Sequence, residues 1–284
     1  MATPTKPNRW VEKNKIWRVP LLANSELLVA THRTQRFPLH THEQYAIGVV
    51  EQGALGFFYR GEHVVAPTGS INLCIPGEAH TGEPASAEGW SYRMFYFDAA
   101  ILQGIATTVA DRPSPYPIIQ AGVLADHDLA QQLHHVHRQL EEPHTPVLTQ
   151  ESVLLEVLAQ LLCRYADEPP VIPQVGQEAT AVTQIKQYID ECFSEDIPLS
   201  TLAALTHLSP YHLIRVFRAV VGVPPHAYLR QVRVQQAKTL LAAGQPIAEV
   251  ALATGFADQS HLHRWFKRLW GVTPAQYRNS VQDR

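Results

Sequence analysis

An internal repeat near the C-terminus constrains the fold of this 284-residue chain more than any other feature. The segment HLIRVFRAVVGVPPHAY at 212–228 recurs as HLHRWFKRLWGVTPAQY at 261–277. Upstream of these segments, LSTLAALTHL at 199–208 matches IAEVALATGF at 247–256, with one residue inserted at the turn. Each copy is therefore predicted to contain a short amphipathic helix, a turn and a second helix, which is the layout of a helix-turn-helix.

The turns of the two copies are related but not identical. Gly255 in the second copy lies where the turn needs a positive φ, a conformation that glycine adopts easily. The matching residue in the first copy is His207, which tolerates this conformation less readily. Between the copies, residues 226–241 are predicted to form one helix of about 24 Å. Such a helix is suited to hold two recognition helices near one turn of DNA apart, roughly 34 Å.

The second helices, near 209–221 and 258–270, are predicted to have one apolar face and one basic face. The residues expected in the core are Leu213, Val216, Phe217, Val220, Leu262, Trp265, Phe266 and Leu269. The candidate DNA contacts are Tyr211, His212, Ile214, Arg215, Arg218, Gln259, Ser260, His263, Arg264 and Lys267. In a major groove, Arg pairs with guanine, Gln with adenine, and outer Lys or Arg with phosphates. Any single exposed charge usually belongs to a solvated face, but basic residues at matching positions in two copies favour DNA binding.

Charge is divided unevenly along the chain. Residues 199–284 contain ten Lys and Arg and three acidic residues, a formal charge of +7. Because the whole chain carries −3, residues 1–198 carry −10. A basic module attached to an acidic partner domain is typical of a nucleic-acid-binding protein.

The stretch DEPPVIPQVGQ at 167–177 fits neither helical nor strand periodicity, so we place a linker at 167–178 between domains at 1–166 and 179–284. The N-terminal domain contains short apolar segments that predict strands, with turns at Gln52-Gly53 and Gly61-Glu62, and suggest a small barrel or sandwich. Helices are predicted at 126–141 and 149–165. The broad apolar stripe of the latter either packs on the barrel or pairs with a second subunit.

The C-terminal sequence resembles the AraC family of bacterial transcription regulators. The resemblance covers about 179–278, and its most specific motif is GFADQSHLHRWFKRLWGVTPAQYR at 255–278. It implies a seven-helix domain with two helix-turn-helix units, attached to an effector-binding and dimerisation domain. The expected partners are promoter or operator DNA, a small-molecule effector, a second copy of the chain and RNA polymerase, and the expected outcome includes transcription activation.

The strand-rich half resembles the cupin barrel that many members of that family carry. The matching residues are His40 and His42 in PLHTHEQY, and His80 at the end of PGEAH. Metal-binding cupins have a Glu a few residues after the first motif, but Ala46 and Ile47 stand there in this chain. Three histidines can ligate a divalent metal. Because the full ligand set is missing, we predict neither a metal nor another cofactor.

An effector pocket is the preferred function of this barrel, with His40, His42, Tyr45, His80, Tyr92, Arg93 and Tyr96 as candidate polar contacts. An Arg in the pocket would suit a carboxylate. Strand alternation places Arg93 opposite its neighbours Tyr92 and Met94, so not all candidates can line the pocket. The histidines at 134, 135 and 137 lie in a helical segment and are expected at the surface.

The fold class expected is α+β in two domains, a cupin-like β-barrel with flanking helices followed by an all-α domain. Residues 1–14 have no apolar stretch after a basic start, and no segment is apolar enough to span a bilayer, so the chain is expected in the cytoplasm. We expect a regulator rather than an enzyme. The alternatives are a metal-dependent cupin dioxygenase or isomerase with a helical appendage, and a structural DNA binder without an effector.

Overall fold

A computed structural model describes residues 12–22, 25–176 and 178–282. Most of residues 1–14, from which no secretory signal was predicted, therefore lies outside the described residues. The chain divides into two compact units. The first comprises the chain up to Glu141 together with Val157–Val171, and the second comprises Glu142–Glu156 with the chain from Ile172 onward. One helix, Val147–Tyr165, therefore contributes to both units. The boundaries 1–166, 167–178 and 179–284 assign this helix to one domain and remain a prediction.

The described residues of the first unit form a nine-stranded antiparallel arrangement. The strands are β1 (Asn14–Val19), β2 (Ser25–His32), β3 (Phe37–His40), β4 (Gln44–Tyr59), β5 (Glu62–Pro67), β6 (Ile71–Cys74), β7 (His80–Pro84), β8 (Trp90–Asp98) and β9 (Val123–Leu124). The main path runs β1-β2-β8-β4-β6-β9, while β5 and β7 pair with β4 and β3 pairs with β7. The predicted sheet-rich N-terminal domain is confirmed.

The long strand β4 joins two parts of this arrangement. Residues 44–53 pair with β6 and β8, whereas residues 54–59 pair with β5 and β7. The register shifts between Val50 and Gln52, and Gly53 has a φ of +71°. A bulge of this kind bends a strand and lets a sheet curve around its core. A Cβ at Gly53 would lie 2.0 Å from the carbonyl oxygen of Gly89, so only glycine fits this bend.

The predicted turn at Gln52-Gly53 is therefore wrong, because the bulge continues the strand instead of reversing it. The turn at Gly61-Glu62 is confirmed. It joins β4 to β5, with Arg60 and Gly61 both at positive φ, as a tight hairpin requires.

In the described N-terminal residues, a short 3-10 helix (Pro20–Leu22) follows β1, and three α-helices are found, α1 (Ala99–Ala110), α2 (His127–Glu141) and α3 (Val147–Tyr165). The sequence predicted α2 and α3 to within two residues but not α1. The apolar stripe of α3 is buried within the single chain, at Leu154, Val157, Leu158, Leu161 and Leu162. Of the two roles offered for it, the structure favours packing inside the chain over pairing with a second subunit.

Seven helices follow in the described residues, which is the number that the resemblance implied. They are α4 (Ala179–Glu191), α5 (Leu199–Thr206), α6 (Pro210–Val221), α7 (Pro225–Ala242), α8 (Ile247–Ala253), α9 (Gln259–Trp270) and α10 (Pro274–Gln282). None of the helices in the described ranges is both long and apolar enough to cross a membrane. The two helix-turn-helix units are α5-α6 and α8-α9, and α7 joins them over about 27 Å.

Packing around α7 explains how the helices are held. Its apolar residues form one core with α8 and α9, made of Val234, Ala237, Leu241, Val250, Ala251, Phe256, Leu262 and Phe266. The buried Arg233 of α7 donates hydrogen bonds to the carbonyl oxygens of Phe193 and Glu195, both at 2.7 Å. These bonds satisfy carbonyls in the loop between α4 and α5, so α7 connects both repeats.

The turns have the predicted conformations. Gly255 has a φ of +75°, and His207 adopts +55° at the equivalent position. A Cβ at Gly255 would lie 2.7 Å from the carbonyl oxygen of Ser194 and 2.9 Å from the Arg233 side chain. Glycine is therefore required in the second copy by space as well as by backbone conformation.

Candidate DNA-binding surface and effector cavity

Helix α9 presents a polar face that the rest of the described chain leaves open. The carboxylate of Asp258 accepts a hydrogen bond from the backbone N–H of His261 at 2.7 Å, which caps the first turn. Leu262 and Phe266 are fully buried against α7 and α8, and they fix the rotation of the helix. The predicted contacts on the opposite face are all exposed, namely Gln259, Ser260, His263, Arg264 and Lys267.

Trp265 is half-buried between the two faces. The guanidinium of Arg230 on α7 lies 3.8 Å from its ring centroid, and Arg268 lies 5.2 Å from it. Leu269 was expected in the core but is 44% exposed. It lies in the last turn of α9, where the apolar periodicity continues beyond the packed core.

Helix α6 differs from α9 in which of its predicted outward residues are exposed. Leu213, Val216 and Phe217 are buried as predicted, whereas Val220 is 59% exposed and repeats the error made at the equivalent Leu269. Ile214 was expected to face outward but is fully buried. The neighbouring residues Arg215 and His212 contact the chain that precedes α4, at Pro173 and Glu178.

Three predicted DNA contacts of α6 bind groups of the protein itself. Arg215 donates a hydrogen bond to the carbonyl oxygen of Pro173 at 2.6 Å. His212 Nε2 lies 3.0 Å from the Glu178 carboxylate, whose pKa is lowered mainly by this hydrogen bond. Arg218 forms an ion pair with Glu156 of α3 at 2.5 Å. Tyr211 is half-buried beside Arg215, whose guanidinium lies 5.9 Å from the Tyr211 ring centroid.

A cavity of about 150 Å³ lies inside the curved sheet of the first unit. It is lined by Phe37, His40, His42, Ala46, Leu55, Phe57, Asn72, Cys74, His80, Thr81, Gly82, Trp90, Tyr92, Met94 and Tyr96. Five of these were predicted from the sequence as pocket contacts, at positions 40, 42, 80, 92 and 96. Phe37, Phe57, Cys74, Trp90 and Met94 were missed, although the period of two along β8 places Trp90 and Met94 on the same face as Tyr92.

Arg93 and Tyr45 do not line the cavity, which corrects two of the predicted contacts. Arg93 lies on the other face of β8, where it pairs with Glu51 and Glu141, both at 2.8 Å. The hydroxyl of Tyr45 donates to the carbonyl oxygen of Pro117. Because β8 alternates faces, Arg93 cannot join Tyr92 in the cavity.

Three histidines meet at one end of the cavity. The ring centroid of His80 lies 4.4 Å from that of His40 and 4.7 Å from that of His42. Burial lowers the pKa of His42 and of His80 below the ordinary histidine value. The neighbouring Tyr96 has its pKa raised by burial to about 12, so its hydroxyl stays protonated at neutral pH. No group of three or more His, Cys, Asp or Glu side chains within the described ranges is placed to hold a metal ion.

Comparison with known proteins decides the family. Residues 22–158 match the model of the AraC-like ligand binding domain, and residues 202–280 match a helix-turn-helix domain. An uncharacterized HTH-type transcriptional regulator of Bacillus subtilis, YbfI, is 30% identical over 228 residues, covering 80% of this chain and 82% of that protein. The chain belongs to the AraC family of transcription regulators.

Other AraC-family proteins are similar over one or both parts. The HTH-type transcriptional activator RhaS of Klebsiella pneumoniae is 24% identical over 250 residues, covering 85% of this chain and 87% of RhaS. Among solved structures, the DNA-binding domain of the global transcriptional factor AdpA, in complex with a target DNA, has 31% sequence identity and a TM-score of 0.35. That alignment covers 36% of this chain and 94% of the AdpA domain. As an AraC-family member, the present chain is a transcription regulator with a ligand-binding domain and a helix-turn-helix DNA-binding domain.

Proposed function

We propose that α9 enters a major groove of operator DNA and makes the principal base contacts. The observation that carries this proposal is the exposed polar face opposite the buried Leu262 and Phe266. On this face, Arg264 is suited to guanine O6 and N7, Gln259 to adenine, and Lys267 to phosphate. Ser260 and His263 complete the contact surface.

Helix α6 supplies the second set of contacts in this proposal, through Tyr211, His212, Arg215 and Arg218. Ile214 is removed from the set because it is buried. The helix α7 separates the two recognition helices by a span compatible with successive major grooves. With fewer exposed polar groups, α6 is expected to discriminate bases less strictly than α9.

A gel-shift titration of the full chain on its operator tests these contacts. Arg264→Ala removes one base contact and is expected to weaken binding by about 1–3 kcal/mol, or roughly 5- to 150-fold. Arg278→Ala on α10 is the matched control, since it removes the same charge outside α9. Unchanged affinity in the combined Arg215→Ala and Arg264→Ala variant would exclude the proposed surface.

The effector is proposed to bind in the cavity lined by His40, His42, His80, Tyr92 and Tyr96 and to change promoter occupancy. A cavity that is apolar except for a few convergent polar groups supports this role. The expected effect on promoter occupancy is measured as the change in operator affinity when a ligand of the cavity is added. A structural DNA binder without an effector predicts no shift with any ligand that binds the barrel.

Regulation is proposed to occur by binding rather than by catalysis. The histidine group motivates the alternative, a metal-dependent cupin enzyme, but these residues do not fit a metal centre. Ala46 stands near the expected Glu position, and the described histidines are not placed to hold a metal ion. Stoichiometric iron or manganese in the purified protein, accompanied by turnover, would reverse this ranking.

We expect a homodimer that acts in the cytoplasm and contacts RNA polymerase at the promoter. Family membership supports these expectations. Sedimentation analysis of the full chain, alone and with operator DNA, tests the dimer, and promoter-bound crosslinking to RNA polymerase tests the second contact.

A further inference from the structure

We infer that the effector is a small uncharged molecule, about the size of one aromatic ring, that donates a hydrogen bond to the histidine group. This inference rests on the proposed function of the cavity, and it specifies which chemical class the cavity takes. It replaces the carboxylate that the sequence suggested.

The size of the cavity sets the first limit. At about 150 Å³, it matches apolar cavities that hold a single benzene-sized molecule. Most of its wall is aromatic or aliphatic, with the side chains of Phe37, Leu55, Phe57, Trp90 and Met94. Aromatic walls favour a flat ring in edge-to-face or offset contact.

The histidine tautomers set the second limit. Nδ1 of His40 lies 2.8 Å from the carbonyl oxygen of Pro38, Nδ1 of His42 lies 2.7 Å from that of Gln44, and Nδ1 of His80 lies 3.0 Å from that of Glu78. A carbonyl oxygen can only accept, so each Nδ1 carries the proton. In the neutral ring, Nε2 is then an acceptor. The group therefore offers acceptors to a hydroxyl of the ligand.

The absence of fixed charge sets the third limit. None of the described residues that line the cavity is Asp, Glu, Lys or Arg. Arg93, the residue expected to bind a carboxylate, is engaged by Glu51 and Glu141 outside the cavity. An ionised carboxylate would lose hydration here without gaining a Lys or Arg partner, which makes its binding unfavourable.

Isothermal titration of the full chain at pH 7.5 with phenol, toluene and benzoate tests the inference. Phenol is expected to bind about tenfold more tightly than toluene, the effect of one hydrogen bond, and benzoate is expected to give no measurable binding. In His80→Phe the advantage of phenol over toluene should disappear, while toluene binding shows that the cavity still folds. His63→Phe, at an exposed histidine of β5, is the matched control and should retain the advantage.

Tighter binding of benzoate than of phenol would overturn the inference, and so would failure of all three probes. Stoichiometric Zn²⁺ binding that His80→Phe abolishes would also overturn it, because the group would then be a metal site. Operator binding is measured separately in the same preparations. Loss of operator binding in the Arg264→Ala variant supports the DNA-contact proposal whether or not phenol, toluene or benzoate binds. A failure of the ligand inference is therefore distinguishable from a failure of the DNA-contact proposal.

A different observation carries a second inference, which also rests on the proposed DNA contacts. We propose that Glu156, with Pro173 in the segment before α4, competes with DNA for the basic residues of α6. Arg218 and Arg215 are bound by Glu156 and by the Pro173 carbonyl. Among the described residues, their repeat equivalents, Lys267 and Arg264, are exposed and have no such partner, whereas Arg218 is paired although its side chain is 48% exposed.

The contrast between the copies argues for a specific cover over α6. Ile214 is fully buried, whereas the residue at the same repeat position, His263, is exposed. DNA phosphates compete with the Glu156 carboxylate for the Arg218 guanidinium. Breaking this ion pair should therefore increase DNA affinity.

The test measures operator affinity of the full chain carrying Glu156→Gln, with Glu142→Gln as the control for the change in net charge. Glu156→Gln is expected to bind about tenfold more tightly than wild type, and Glu142→Gln within twofold of it. Adding Arg218→Gln should remove the gain, because the two effects share one contact. Equal or weaker binding by a Glu156→Gln variant with unchanged helical circular dichroism would overturn the proposal.

Discussion

The imidazole of His137 donates a hydrogen bond from Nε2 to the carbonyl oxygen of Met94, at a distance of 3.1 Å. Its Nδ1 accepts from the Arg93 guanidinium at 3.2 Å, so both nitrogens are satisfied by one neutral tautomer. These bonds attach α2 to the outer face of β8, whose inner face carries Met94 into the cavity. His137 thus links α2 to Met94, a residue of the cavity wall.

Acid should weaken this attachment. Burial, followed by the charge of Arg93, lowers the pKa of His137 to about 4, from 6.5 in an unfolded chain. Because the folded pKa is the lower one, the stabilisation is complete above pH 6.5 and is lost as the pH falls towards 4. The free energy of unfolding should decrease by about 3 kcal/mol across this interval on account of His137 alone.

Urea denaturation at several pH values, on wild type and His137→Gln, checks this expectation. The variant should retain both hydrogen bonds but lose the histidine contribution to the pH dependence. His226 and His261 in the second unit also have pKa values lowered by burial, to about 3 and about 4, so the difference between proteins isolates His137. Parallel pH curves for the two proteins would contradict the assignment.

Arg93 should act in stability rather than in ligand binding. Its side chain is 13% exposed and pairs with two carboxylates, so Arg93→Gln is expected to cost about 2 kcal/mol of unfolding free energy. Arg18→Gln breaks an exposed pair with Glu26 and should cost less than about 1 kcal/mol. Urea denaturation of the two variants and the wild type measures both losses of unfolding free energy. A large loss of phenol affinity in an Arg93→Gln protein that remains folded would place the guanidinium in the cavity after all.

Substitutions at the two helix-turn-helix turns should change stability in opposite directions. Gly255→Ala forces a Cβ into the space of the Ser194 carbonyl at positive φ, and should cost at least about 2 kcal/mol. His207→Gly relieves a positive φ at an exposed site and should stabilise by up to about 1 kcal/mol. Thermal unfolding of the two variants tests this contrast, which would fail if both shifts had the same sign.

The N-cap side chain should contribute more to stability at α9, where it is Asp258, than at α6, where it is Ser209. The Asp258 carboxylate accepts from the His261 N–H, whereas the buried Ser209 Oγ has no hydrogen-bond partner in the described part of the chain. Asp258→Ala should therefore reduce both thermal stability and operator affinity, while Ser209→Ala should leave them nearly unchanged. The hydrogen bond lowers the pKa of Asp258, so its contribution is present at neutral pH and is lost in acid. Equal effects of the two substitutions would refute the difference in capping.

Local periodicity explains what was predictable in the candidate sites. The bounds of α6 and α9 and the buried positions of Leu213 and Leu262 follow from helical spacing, which a sequence contains in full. Positive φ at Gly255 follows from its place in the repeat. In the same way, the alternation of side chains along a strand is enough to place Arg93 and Tyr92 on opposite faces of β8.

Contacts between distant segments explain what was not predictable. His137 was expected at the surface with the other histidines of its helical segment, but it is fully buried once α2 packs on β8. Ile214 has the same repeat position as the exposed His263, yet it is fully buried. Repeat symmetry cannot report such differences, because residues that contact α6, such as Glu156 and Pro173, lie outside the repeat.

The sequence by itself determined the family, the two helix-turn-helix units and the two recognition helices, since these depend on residues close together in the chain. Tertiary structure alone decided that His40 and His42 meet His80 at the cavity, that Arg93 pairs with Glu51 and Glu141, and that Glu156 reaches Arg218. Each of these depends on where separate elements meet. Burial and hydrogen-bond geometry at such meeting points are set by packing across long sequence separations, which local patterns do not encode.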